Sequence, residues 1–192
     1  MLETPDRQLL LKLARECITA RLEERDPVLP APVPAVLTRC GAFVTLHAVS
    51  GKTRALRGCI GHIVPQRPLY VAVLENARNA ALRDPRFDPV QPAELPGIEI
   101  EVSVLTEPRP LAYASPDELL GKLRPGIDGV VLHLEGRMAT FLPQVWEQIP
   151  DKTQFLSQLS VKAGCEPDAW REPSTCVSLY QVEPFSEPPV VP

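Results

Sequence analysis

The chain has no pair of cysteines at C-x-x-C spacing. Its five cysteines, Cys17, Cys40, Cys59, Cys165 and Cys176, are odd in number and scattered. A disulfide framework and a closed zinc site are therefore not expected, and reduced thiols are the default. No apolar run is long enough to span a bilayer. Residues 1–15 are charged and lack the apolar centre of a signal peptide, so a cytoplasmic location is expected. A basic surplus is also missing. The net charge is -4 and the pI about 5.5, which argues against bulk binding to nucleic acid or to an anionic membrane. There is no P-loop, no G-x-G-x-x-G turn and no G-x-S-x-G elbow. A phosphatase loop needs an arginine six positions after its cysteine, and Pro65 stands there. No three-cysteine cluster for iron–sulfur ligation is present. The sequence points to no resident metal or cofactor.

What is present is an ordinary apolar fraction, 44% of 192 residues, and an unusual 23 prolines. The length suits one sizeable core or two small subdomains. Prolines between periodic segments lower the entropy of the unfolded chain. Arginine outnumbers lysine by 15 to 5.

Leu9, Leu10, Leu13, Ala14, Cys17, Ile18 and Leu22 form an apolar stripe that predicts a helix over residues 5–25, with Thr4 as N-cap and Pro5 at the first helical position. The proline-rich run 27–34 reads as an extended connector. Residues 42–49 read as a strand, turned back at 50–52 into a second strand over 53–56. That hairpin delivers Arg57-Gly58-Cys59-Ile60-Gly61 as a tight loop at its far end. A helix is expected over 68–83, stopped by Asp84-Pro85. Residues 98–105 alternate cleanly and predict a strand. A capping box at Ser115-Pro116-Asp117-Glu118 starts a short helix to Leu123. Strands over 130–134 and 137–142 flank a Glu135-Gly136 turn. Helices follow near 144–149 and from the cap at Asp151 to Gly164. A last strand covers 175–182, and the stretch after Glu183, rich in Pro and Val, is expected to be poorly ordered, with 188–192 as a flexible tail. Hairpins interspersed with helices predict an α+β protein with a mainly antiparallel sheet. The order strand, hairpin, helix recurs in both halves and hints at duplication.

Leu56-Arg57-Gly58-Cys59-Ile60-Gly61 matches the LRGCIG hexapeptide of the AMMECR domain family. Further stretches resemble that family in order: residues 41–46, 84–87, 98–105, 126–130, 139–146 and 162–164. Together they cover about residues 7–187, and collinear blocks are far more specific than one short motif. The resemblance implies a single domain over residues 1–187. It would consist of two subdomains with a barrel-like, largely antiparallel sheet, flanking helices and an internal duplication, the hexapeptide lying in a cleft between the parts. Prokaryotic members are known as AmmeMemoRadiSam system protein A. Their genes accompany those of a Memo-like protein and a radical SAM enzyme, which are the partners the resemblance implies. It supplies no reaction.

The hexapeptide carries several chemical possibilities. Gly58 and Gly61 allow positive φ and close backbone approach, so amides there would aim at a ligand. Arg57 offers a planar fork for carboxylate or phosphate. Cys59 is the nucleophile of the motif, and His62, three residues on, would serve as base if a loop folded it back. Between Gly51 and Arg86 the basic residues exceed the acidic ones by five, which suggests a pocket for a small anionic ligand or peptide. Glu101, inside a family-like block, is a candidate acid or base together with Glu99. Three readings compete. In the enzymatic one, Cys59 attacks while Arg57 and the Gly58–Gly61 amides hold negative charge. In the second, the groove recognises a partner or peptide without chemistry, and Cys59 is simply a small buried side chain. The third is a nucleic-acid-associated regulatory role, opposed by the acidity of the chain and its lack of clustered aromatics.

Overall fold

A computed structural model describes residues 2–51, 53–134 and 136–188. The expected flexible tail therefore falls, from residue 189 onward, outside the described residues. Contacts divide the chain into two units. The first runs to Leu105 and resumes at Glu183, and the second is Thr106–Val182.

In the first unit, α1 (Thr4–Leu22) buries Leu10, Leu13, Ala14 and Ile18, the expected stripe. Its cap differs from expectation. Glu3 is the N-cap, in a reciprocal box with Asp6, and Thr4 is already helical. Strands β1 (Gly41–Ser50) and β2 (Thr53–His62) form an antiparallel hairpin, turned at Gly51 with φ +58. Helix α2 (Leu69–Leu82) follows, and β3 (Ile98–Leu105) then pairs antiparallel with β1. Val44 and Leu46 of β1 and Ile100 and Val102 of β3 pack against Leu10 of α1 and Val73 of α2. Each such buried aliphatic contributes about 1.5–3 kcal/mol relative to exposure.

In the second unit, β4 (Arg109–Pro110), α3 (Pro116–Lys122), β5 (Gly129–Leu134), β6 (Arg137–Phe141), α4 (Lys152–Lys162) and β7 (Cys176–Tyr180) follow in order. Ser115 accepts from the Glu118 amide and Asp151 from the Gln154 amide, as their spacing predicts. Trp146 stacks on Phe155 at 3.6 Å in the core. The segment expected as a helix near 144–149 is a short 3-10 turn, Pro143–Glu147.

The two sheets have the orders β2-β1-β3-β8 and β4-β7-β5-β6. The fold is α+β and its printed pairings are all antiparallel, with the strands divided between two sheets. Each unit places a hairpin, a helix and a third strand that pairs with the first strand of the hairpin. One expectation fails at the chain end. β8 (Val182–Ser186) is ordered strand and joins the first sheet beside β3. Glu187 anchors it: its amide donates to the Ile100 carbonyl, and its carboxylate takes the Ile100 amide and the Arg15 guanidinium. The Pro and Val content that suggested disorder is overridden by these tertiary partners. No helix among the described residues is long and apolar enough to cross a membrane.

Candidate functional site

The hexapeptide is not a loop. β2 continues through it to His62. Ser50 pairs with Thr53 and His47 with Leu56, but Leu46 pairs with Gly58. Arg57 is thus an extra residue, a β-bulge on the edge strand. A one-residue slip turns every later side chain to the opposite face. Without it Cys59 would stand opposite Val44, on the core side. With it Cys59 pairs with Thr45.

Gly58 then falls on the core side, and the reason for glycine is steric rather than conformational. A Cβ there would lie 2.2 Å from the Ala80 carbonyl oxygen of α2, and one at Gly61 would lie 2.3 Å from the Phe43 ring. Neither glycine has positive φ. The expectation of a φ-driven tight loop is corrected to a strand pressed against its neighbours.

The face of the first sheet turned away from the core carries one polar row. Thr45 pairs with Cys59 on one side and Glu101 on the other. The Thr45 hydroxyl donates to the Cys59 Sγ at 3.2 Å. The next position along β1 on this face is His47, opposite Glu99. Its Nε2 lies 3.7 Å from the Glu101 carboxylate, and its side chain is only 14% exposed. That nitrogen has no hydrogen-bond partner and is shielded from solvent. Burial first, then the Arg54 charge, push the His47 imidazole below its ordinary value, against the pull of Glu101. His47 is therefore neutral near pH 7 and free to accept a proton. Arg54 bridges Glu99 and Glu101 at 2.9 Å each.

Behind Cys59, the outward edge of β2 is closed by Asp84 and Arg86. The Cys59 amide donates to Asp84 Oδ2 at 2.8 Å, and Arg86 donates to the Cys59 carbonyl at 3.2 Å. Asp84 is 4% exposed and also takes the Arg86 amide and guanidinium. The Arg86 hydrogen bonds, with those from the two amides, hold its carboxyl far below the usual carboxylate range. This pair satisfies an edge strand's free donor and acceptor and blocks strand addition there.

The remaining candidates separate. His62 is exposed and three residues from Cys59 along the strand, hence on the opposite face. It lines a small cavity of about 130 Å³ with Cys40, Arg67 and Glu75. The Arg57 fork is engaged by Glu94, at 2.7 and 3.1 Å. The local basic excess is largely paired as well: Arg54 with Glu99 and Glu101, Arg67 with Glu75, and Arg86 with Asp84. Thr45, His47 and Arg54 were passed over in the sequence, and Asp84 was read only as a helix stop. The polar residues at 45 and 47, alternating with Val44 and Leu46, were the available signal.

An α+β chain with two four-stranded sheets and this cysteine on a bulged edge strand defines a recognisable class. The AMMECR1 family profile matches residues 11–185, and the chain belongs to that family. A protein of Methanothermobacter thermautotrophicus is 41% identical over 181 residues, 93% of this chain and 92% of that protein. One from Thermofilum pendens is 38% identical, over 93% and 88% of the two chains. The crystal structure of PH0010 from Pyrococcus horikoshii, described as uncharacterized, superposes with a TM-score of 0.81 at 34% identity, covering 97% of this chain and 93% of that one.

Proposed function

We propose that the face carrying Cys59, Thr45, His47 and Glu101 is a site of thiol chemistry. Cys59 is the nucleophile, His47 the base, and Glu101 the carboxylate that orients and balances His47. The observation that carries this reading is the cross-strand row Cys59–Thr45–Glu101 with an unpartnered imidazole nitrogen beside it. His47 takes the place first given to His62. An anionic ligand would have to compete with Glu94 for Arg57 and with Asp84 for the Cys59 amide. Uncharged or weakly anionic electrophiles therefore fit better than a phosphate.

The test is alkylation of Cys59 followed by mass spectrometry of the modified peptide, in the whole chain and across pH. Replacing His47 by Gln is expected to alter the pH profile, and replacing His62 by Gln to leave it unchanged. An unchanged profile in H47Q would end the nucleophilic reading. Recognition of a peptide or partner would then stand, supported by Leu56, 43% exposed and opposite His47. Action beside a Memo-like protein and a radical SAM enzyme belongs to the same proposal and rests on the family resemblance. Co-purification with both tests it.

A further inference from the structure

The second sheet brings together three side chains that are far apart in sequence. His133 of β5 pairs with Met138 of β6 on one side and with Cys176 of β7 on the other. All three are exposed. They lie on the face opposite the core, because Leu132, Leu134, Ala139 and Val177 of the same strands point into it.

We propose that this row is a binding site for a soft monovalent metal ion, Cu(I), held by the Cys176 thiolate, a His133 ring nitrogen and the Met138 thioether. Directly opposed residues in an antiparallel sheet have Cβ atoms about 4.5–5.5 Å apart. A central imidazole flanked by two sulfurs on adjacent strands can therefore converge on one ion above the sheet. Thiolate and thioether select Cu(I), and imidazole accepts it. A hard or borderline ion is not served. No group of three or more His, Cys, Asp or Glu side chains that could hold a metal occurs among the described residues. The third ligand here is a thioether.

The composition of the row sets it apart from an ordinary strand surface. Met138 is the only methionine besides Met1, His133 is one of three histidines, and Cys176 is the exposed one of the five cysteines. His133 and Met138 make no side-chain hydrogen bond or ion pair among the described residues, so neither is committed elsewhere. Cys176 has only a long contact, 4.0 Å, to the Ser174 carbonyl. The row lies one pair from the β5–β6 turn and at the first residue of β7, an end of the sheet open to solvent. Spacing along the chain conceals it, since it exists only through strand register.

The test is anaerobic titration of the full chain with Cu(I) against the chromophoric chelator bathocuproine disulfonate. The wild type is expected to withdraw one ion per chain that Cys176→Ser does not. His133→Gln and Met138→Leu should each weaken that binding by about tenfold or more. Cys59→Ser should retain it. X-ray absorption of the loaded protein should show one nitrogen and two sulfur neighbours. All three residues are exposed, so the variants fold, and far-UV circular dichroism verifies this. Binding that survives any of the three substitutions unchanged, or that is lost with Cys59→Ser instead, overturns the site.

Discussion

Replacing Gly58 by Ala tests why the hexapeptide has its form. The new methyl carbon would sit 2.2 Å from the Ala80 carbonyl oxygen and 3.1 Å from its carbon. Both atoms are helix backbone, so relief requires α2 and β2 to separate by about 1 Å, well beyond the give of a flexible side chain. Overpacking of this kind costs about 1–3 kcal/mol, and a backbone obstacle places Gly58→Ala near the upper end. In a chain of this size that lowers the melting temperature by about 4–10 °C. The control is Gly121→Ala in α3, where a methyl group meets nothing within 4 Å. It should stabilise by about 0.5–1 kcal/mol through helix propensity. Far-UV circular dichroism is the assay, because Trp146 and Trp170 both lie in the second unit and fluorescence would miss the first. Wild-type stability in Gly58→Ala would refute the close approach of β2 to α2.

Asp84→Asn removes the carboxylate that receives the Cys59 amide and Arg86, and should cost about 1–3 kcal/mol at neutral pH in denaturant titration. The Asp84 carboxyl is depressed in the folded state, so its contribution is full above the unfolded value near 4 and fades as pH falls below it. Asp84→Asn should therefore flatten the acid limb of the stability profile, and a limb as steep as wild type's would count against the clamp. His47 is also depressed. The folded state resists the proton that the unfolded chain accepts below about pH 6.5, so stability is lost as pH falls from there. Gln at 47 should remove this loss between about pH 6.5 and 5, as read by melting temperature at each pH.

The elements that announced themselves in the sequence were those governed by local pattern. The stripe from Leu10 to Ile18, the alternation from Ile98 to Val104 and the caps at Ser115 and Asp151 all mark structure that neighbours in sequence decide. The site was located but not assembled. Counting back from the Ser50–Thr53 turn in regular register puts Cys59 opposite Val44, in the core. Arg57 cannot take the resulting core position opposite Leu46 without burying an unpaired charge. A bulge solves this by turning Arg57 out to Glu94 and leaving Gly58 under α2. The solution depends on a helix backbone and on Glu94, both remote in sequence. The same slip separates Cys59 from His62 and pairs it with Thr45. The strand at Val182–Ser186 was missed for a like reason, since its stability rests on Arg15, Ile100 and Glu187.

The bulge register can be read directly by NMR. The Cys59 amide points to Asp84, so Cys59 and Thr45 form a pair without mutual hydrogen bonds, with Cα atoms about 4.5 Å apart and facing α-protons. A strong Hα–Hα cross-peak between Thr45 and Cys59 is predicted, with Leu56 adjacent to His47 beyond the slip. A cross-peak between Val44 and Cys59 instead would place the thiol in the core and contradict the account.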